Sequence, residues 1–337
     1  MNTLISARHF ILYSGFFCFM LLSSNLFAQT EETDKLKDVD TSYLRTQKQL
    51  PILNNFRFIP SEIVYDPFIT TFVKIIVGTG LALDLNSYVK DLDGNIRDTL
   101  SGDLTYISGE LQFQLAVNDW LAFNLGAGGS GRLGTNTYTI LTSGISYTSF
   151  LTLGGKAKIW QNDNMVLSTT LDFKYQNLYL YSIYDFVKAV VENEGEIDST
   201  VSLLEKDNIS STILNLNYAY APTDWCGVLV IAGWGLGEAF ETKTRGNVRV
   251  GAAFSVDFDN VDFVEFPIGI LASVRYNSFG EGGSNVKDIF TYGFKLAYTG
   301  HKDFDIGIEN TYQSLSYKAN EEKIKTILSS FSLRYYF

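Results

Sequence analysis

From about residue 76 onward the chain alternates apolar and polar positions with a period of two. In 291–299, Tyr292, Phe294, Leu296 and Tyr298 share one parity, and Thr291, Gly293, Lys295 and Ala297 share the other. In 248–258, Val248, Val250, Ala252, Phe254, Val256 and Phe258 face one way, against Arg249, Gly251, Ala253, Ser255 and Asp257. Across 264–276, Val264, Phe266, Ile268, Ile270, Ala272, Val274 and Tyr276 form the apolar set, opposite Glu265, Ser273 and Arg275. Period two is the signature of an extended strand, whose side chains point alternately to the two faces. The pattern predicts twelve strands: 76–89, 103–117, 120–133, 145–160, 165–181, 209–221, 225–239, 247–259, 263–279, 287–299, 303–317 and 325–337. They run 13 to 17 residues, where soluble strands usually have about five or six. A tilted strand of that length crosses a bilayer.

The connections alternate in length. Tight ones are predicted at 118–119, 161–164, 222–224, 259–262 and 300–302, and longer ones at 90–102, 134–144, 182–208, 241–246, 280–286 and 318–324. Short turns on one side and long loops on the other are the rule for barrels of the bacterial outer membrane. In hydrocarbon every backbone amide must pair within the protein, so such a sheet has to close. An even strand count returns both termini to the short-turn side, the periplasm. The chain ends Phe331-Ser332-Leu333-Arg334-Tyr335-Tyr336-Phe337, apolar at alternate positions and terminated by an aromatic. Soluble termini are usually polar and frayed, whereas a final barrel strand can seat a ring in the interfacial aromatic girdle. This tail resembles the insertion signal of bacterial outer-membrane β-barrels. The resemblance implies outer-membrane lipid as surroundings, and the barrel-assembly machinery as a partner that reads the strand ending in Phe337. The fold expected is all-β: an antiparallel transmembrane barrel of about twelve strands. One external loop is expected to be helical, because Ile183, Phe186, Val187, Val190 and Val191 recur at helical spacing before Glu192, Glu194, Glu196 and Asp198.

Ahead of the strands, Arg8 and His9 precede an apolar run over 10–22, then Ser23-Ser24-Asn25 and Leu26-Phe27-Ala28. This is the three-part pattern of a secretory signal peptide, with cleavage expected after Ala28. The run is too short to span a bilayer as an anchor helix. The expected organisation is therefore a signal peptide over 1–28, an extension over 29–75 and a barrel over 76–337. The extension begins polar and turns apolar around Phe56, Phe58, Ile59 and Phe68. Two readings stand for it: a free periplasmic tail, or a plug folded into the barrel mouth. The apolar side chains need burial somewhere, which favours docking.

Composition removes several functions. Lys and Arg number 26 against 37 Asp and Glu, a net charge of −11, the wrong sign for a nucleic-acid partner. Past the leader there is one cysteine, Cys226, so no intrachain disulfide is available. The one remaining histidine, His301, falls in a predicted short turn, far from the external rim where outer-membrane hydrolases place theirs. No enzyme, metal site or cofactor is expected. Gly128-Gly129-Ser130-Gly131 lacks the Lys-Ser/Thr pair and following helix of a phosphate loop.

The inward parity is polar and mixed in sign. Its candidates for a lumen or constriction are Glu110, Lys156, Asp172, Lys174, Arg249, Arg275, Lys295, Asp305, Glu309 and Arg334. Counting back from the 300–302 turn places Lys295 beside Glu309, and Arg334 near Asp305 and Glu309. Such a network either stiffens a narrow lumen or selects solutes. The functions implied are a porin-like passive channel for small solutes, a closed structural or assembly-partner barrel, or a carrier of apolar ligands with an N-terminal plug.

Overall fold

The computed structural model describes residues 49–90, 96–134, 145–181, 204–239, 242–261, 266–279, 286–317 and 323–337. The expected signal peptide, residues 29–48, the helical loop and Glu265 lie outside the described residues. Twelve strands close into one antiparallel barrel. They are β3 (Phe72–Lys90), β4 (Ile96–Ala116), β5 (Leu121–Gly134), β6 (Ile145–Gln161), β7 (Met165–Tyr181) and β8 (Leu204–Tyr220). β9 (Cys226–Ala239), β10 (Thr242–Asp257), β11 (Ile268–Phe279), β12 (Val286–Tyr298), β13 (Phe304–Tyr317) and β14 (Lys323–Tyr336) complete it. Each strand pairs with its sequence neighbours, and β14 closes on β3 from Lys325↔Leu83 to Tyr336↔Phe72.

Parity decides which way each side chain points. Along β14, Ser330, Ser332, Arg334 and Tyr336 are buried inside, while Phe331 and Phe337 are exposed. The outer surface is apolar: Ile107 and Phe123 are 65% and 55% exposed, among many Leu, Val and Phe neighbours. Water would not tolerate a patch that large, whereas lipid chains would. Tyr335 stacks with Phe337 at 5.9 Å and packs against Phe304 at 4.9 Å, forming an aromatic edge at the short-turn end.

β4 begins at Ile96 rather than at 103 and β8 at Leu204 rather than at 209, which lengthens both strands beyond the prediction, and three further departures bear on the lumen. β3 begins at Phe72 rather than at 76, which brings Lys74 into the wall. β11 begins at Ile268 rather than at 263, so the connection after β10 is long although it lies at the short-turn end. Pro267 explains this. It has no N–H for the ladder, and its carbonyl instead receives the Thr299 amide at 3.0 Å. Finally, β9 and β10 approach so closely at the opposite end that Thr242 pairs with Ala239, where a longer loop was expected over 241–246. Parity survives all three changes, because none of them shifts the face on which a residue falls.

Residues 51–71 do not continue the barrel. A two-stranded hairpin, β1 (Ile52–Leu53) with β2 (Phe56–Arg57), opens this stretch. Asn54 and Asn55 form its turn with φ of 47° and 62°. Two successive left-handed residues make the type I′ turn that suits a two-residue hairpin, and Asn tolerates that region. Phe56, Phe58, Ile59, Ile63, Val64 and Phe68 are buried in one cluster with wall residues Leu229, Ile231, Ala253, Leu271 and Ala297. The core of the molecule is thus the inside of the barrel at its short-turn end, filled by its own preceding segment.

Candidate functional site: the lumen and its inner segment

Three glycines shape the bed in which the segment lies. A Cβ at Gly227 of β9 would collide with the rings of Phe56 and Phe58. One at Gly269 of β11 would strike Ile59, and one at Gly293 of β12 would strike Ile63. All three point inward by parity. Phe56 meets Phe58 edge-on at 4.8 Å, and Phe58 lies 5.1 Å from Phe68. Such aromatic pairs add modestly to the area they bury.

Polar anchors surround this apolar filling. Arg57 donates to the carbonyls of Thr299, His301 and Phe304, closing over the β12–β13 turn. Lys295 Nζ donates to the Pro60 carbonyl at 2.7 Å and to Ser332 Oγ at 3.1 Å, and lies 3.3 Å from Asp305. The Glu309 carboxylate accepts from Ser61 Oγ at 3.0 Å and from the Glu62 amide at 2.9 Å. Ser61 Oγ in turn accepts from the amides of Ile63 and Val64, which tightens the local bend. Lys74 Nζ sits 2.7 Å from Glu62. Arg275 Nη1 donates to the Ile63 carbonyl at 3.1 Å, and Gln114 Nε2 to the carbonyls of Phe68 and Thr70.

Asp66 is the centre of these contacts. Its Oδ2 accepts from Arg334 Nη1 at 2.9 Å, and its Oδ1 lies 3.3 Å from Lys156 Nζ. Lys156 also donates to the main-chain oxygens of Asp66 and Phe68. Arg334 lies 4.2 Å from the centre of the Phe72 ring, so one face of its guanidinium is covered. All three charged side chains are buried. Burial alone would raise the Asp66 carboxyl, but Lys156 and Arg334 outweigh it and hold the group well below the usual carboxylate range. Glu62 is lowered as well: burial opposes ionisation, and Lys74, Lys295 and Arg334 overcome it.

The register anticipated from the turn is present, since Lys295 faces Glu309 and Asp305 faces Arg334 as backbone partners. The side chains choose other partners. Arg334 turns to Asp66, Lys295 to Asp305, and Glu309 to Ser61 and Glu62; Ser330, not Arg334, is the backbone partner of Glu309. Counting within the barrel could not find the contacts of Arg334 and Glu309, because Asp66, Ser61 and Glu62 come from outside it. Arg57, Ser61, Glu62, Asp66 and Lys74 are the anchors that the strand pattern alone did not single out, whereas Gln114 falls on the inward parity of its strand. One sequence signal did exist. Glu62 and Asp66 sit in an apolar stretch bounded by Pro60 and Phe68, and such acids need cationic partners.

The remaining candidates lie toward the long-loop end of the lumen. Glu110 accepts from Gln112 at 2.7 Å. Lys174 Nζ stands 4.2 Å from the centre of the Phe150 ring. Asp172 lies against Gly154, and Arg249 lies 6.0 Å from the Tyr65 ring. These residues do not join the Asp66 cluster. They are half-buried, not buried, and Tyr65 is 38% exposed although it belongs to the segment inside the barrel. The lumen is filled at its short-turn end, and toward the other end its polar side chains are less completely buried.

No protein-family model matches this chain, and no curated protein matches it in sequence. Solved structures do match. An outer membrane channel from Pseudomonas putida F1 is 11% identical, covering 83% of this chain and 100% of that one, with a TM-score of 0.52. The fold is that of an outer-membrane β-barrel. A FadL homologue from Pseudomonas aeruginosa (10% identity, 85% and 96% covered, TM-score 0.46) and the β domain of a Bordetella autotransporter (12%, 80% and 100%, 0.46) are more distant. At such identities the likeness concerns the barrel alone. The inner segment and its anchors rest on this chain's own residues.

Proposed function

We propose that this barrel is an outer-membrane channel for small polar solutes, held closed by residues 50–70 acting as a plug. The observation that carries the reading is the way the segment is held. The lumen wall meets it with charged side chains from β3, β6, β12, β13 and β14, while beyond it the inward polar side chains are only partly buried. A barrel serving only as an anchor has no need for the incompletely buried charges Glu110, Lys174, Arg249 and Arg275 above the filled end. The apolar-ligand reading fits that charged interior poorly. In this account Lys74, Lys156, Lys295, Asp305, Glu309 and Arg334 form the latch, and Glu110, Asp172, Lys174, Arg249 and Arg275 line the path. The signal peptide would deliver the chain across the inner membrane, and the strand ending in Phe337 would engage the assembly machinery.

Planar-bilayer recording tests the proposal. The full chain is expected to conduct rarely, and a variant lacking residues 50–70 to conduct steadily. Folding of both is checked by the mobility difference of heated and unheated samples on a gel. A folded deletion variant that stays silent would overturn the channel reading and leave the structural barrel.

A further inference from the structure

Toward the long-loop end of the lumen, two arginines stand without an ion-pair partner among the described residues. Arg249 and Arg275 stand on adjacent strands with inward parity. Arg275 pairs with Gly251, and Arg249 with Asn277, so the two arginines are diagonal neighbours. Diagonal positions across an antiparallel pair lie about 7–8 Å apart, within reach of long side chains. Arg275 gives one Nη1 hydrogen bond to the Ile63 carbonyl. Arg249 has the Tyr65 ring, at 6.0 Å. The Nε atoms of both are buried and have no hydrogen-bond partner. Neither guanidinium forms an ion pair among the described residues, in contrast to Lys74, Lys156, Lys295 and Arg334. Asp172 and Glu309, the inward carboxylates of the neighbouring wall, form no ion pair with either arginine. Glu309 is already occupied by Ser61 and the Glu62 amide.

Two forked donors held side by side, whose terminal Nη groups form only the bond to Ile63 among the described residues, are suited to an oxyanion. Two neighbouring arginines without a direct ion pair are costly in a confined space, and a bound anion reduces that cost. Tyr65 adds an exposed ring beside Arg249, on the surface of the segment that faces the long-loop end of the lumen. We propose that Arg249, Arg275 and Tyr65 form a binding site for the carboxylate or phosphate group of a small anionic solute. The site deepens the channel reading by naming its solute class, and rests on that reading only for the route by which the solute arrives.

Calorimetric titration of the folded, detergent-solubilised full chain tests the site without requiring conduction. The probes are benzoate, inorganic phosphate and neutral benzamide. Saturable binding of benzoate or phosphate is expected, with benzamide at least roughly tenfold weaker, the order of a charge-assisted hydrogen bond. R249Q with R275Q is expected to lower the anion affinity by about tenfold or more. Each single change is read alone should the double variant not fold. K158Q, near the short-turn end, serves as a control that leaves affinity unchanged. No saturable binding of either anion, equal binding of benzamide, or unchanged affinity in the arginine variants would overturn the site. A chain that binds anions but never conducts keeps the site and loses the channel. One that conducts without binding does the reverse.

Discussion

At the scale of single residues, Asp66 stands out because it serves two cations on opposite flanks. It links β6 through Lys156 and β14 through Arg334, and all three are buried. Breaking a buried ion pair by removing one partner costs about 3–5 kcal/mol, because the charge left behind is uncompensated. Asp66→Asn keeps the shape and removes the charge. It leaves Lys156 and Arg334 facing a neutral amide, and undocking of the segment lets water reach both. We expect this variant to undock at least about a hundredfold more often, since each 1.4 kcal/mol is worth tenfold. Trypsin reports the change directly, because Arg57 is buried and bonded to the β12–β13 turn while the segment is docked. Cleavage after Arg57 should accelerate in proportion to the open population. A wild-type cleavage rate in Asp66→Asn would remove Asp66 from the latch.

At the scale of elements, the segment and the wall are matched by volume as well as by charge. Gly293 of β12 leaves the space that Ile63 occupies. Gly293→Leu places a branched side chain there, and an overfilled core costs about 1–3 kcal/mol. The barrel ladder does not depend on that side chain, so the expected result is an intact barrel with a displaced segment. Gel mobility should match wild type while trypsin cleavage after Arg57 quickens; loss of the barrel itself would contradict the assignment. The C-terminal strand gives a second test. The Phe337 amide bonds to the Thr71 carbonyl at 3.2 Å, and its ring stacks near Phe113 and Tyr335. Phe337→Ala is expected to reduce the amount of barrel assembled in cells, with little effect on the stability of what does assemble, measured by gel shift after urea. The same elements show how far sequence reached. Strand number, inward parity and the Lys295–Glu309 register follow from period two and turn spacing, because those features are local to a strand and its neighbour. The late start of β11 was hidden by an apolar parity that ran straight through Pro267. The latch was hidden for a different reason. Asp66 and Arg334 are 268 positions apart, and no local pattern relates them.

At the scale of the molecule, the latch is polar but shielded, and that combination sets its response to solution conditions. Added salt screens exposed charges but reaches buried pairs weakly. The closed state should therefore persist in about 1 M KCl, with trypsin cleavage after Arg57 still slow and conductance per unit of bulk conductivity still low. Acid acts differently. Docked Asp66 is held below its ordinary range by Lys156 and Arg334, and docked Glu62 is lowered by Lys74, Lys295 and Arg334 after opposing their burial. Once the segment is released, both carboxyls titrate near ordinary values, about 3.9 and 4.3. A group whose docked value is depressed stabilises the docked state fully above its released value, and that stabilisation falls as pH drops toward the docked value. Closure should be complete at pH 7 and weaken below about pH 4.5, with no counterpart on the alkaline side from these two groups. Conductance recorded from pH 7 to 3.5 in symmetrical KCl should rise in that acid window for the full chain and stay flat for the variant lacking residues 50–70. An equal rise in both would place the titrating groups in the wall, and a full chain that stays closed at pH 3.5 would mean that the apolar bed around Phe56, Phe58 and Ile63 holds the segment without its ion pairs.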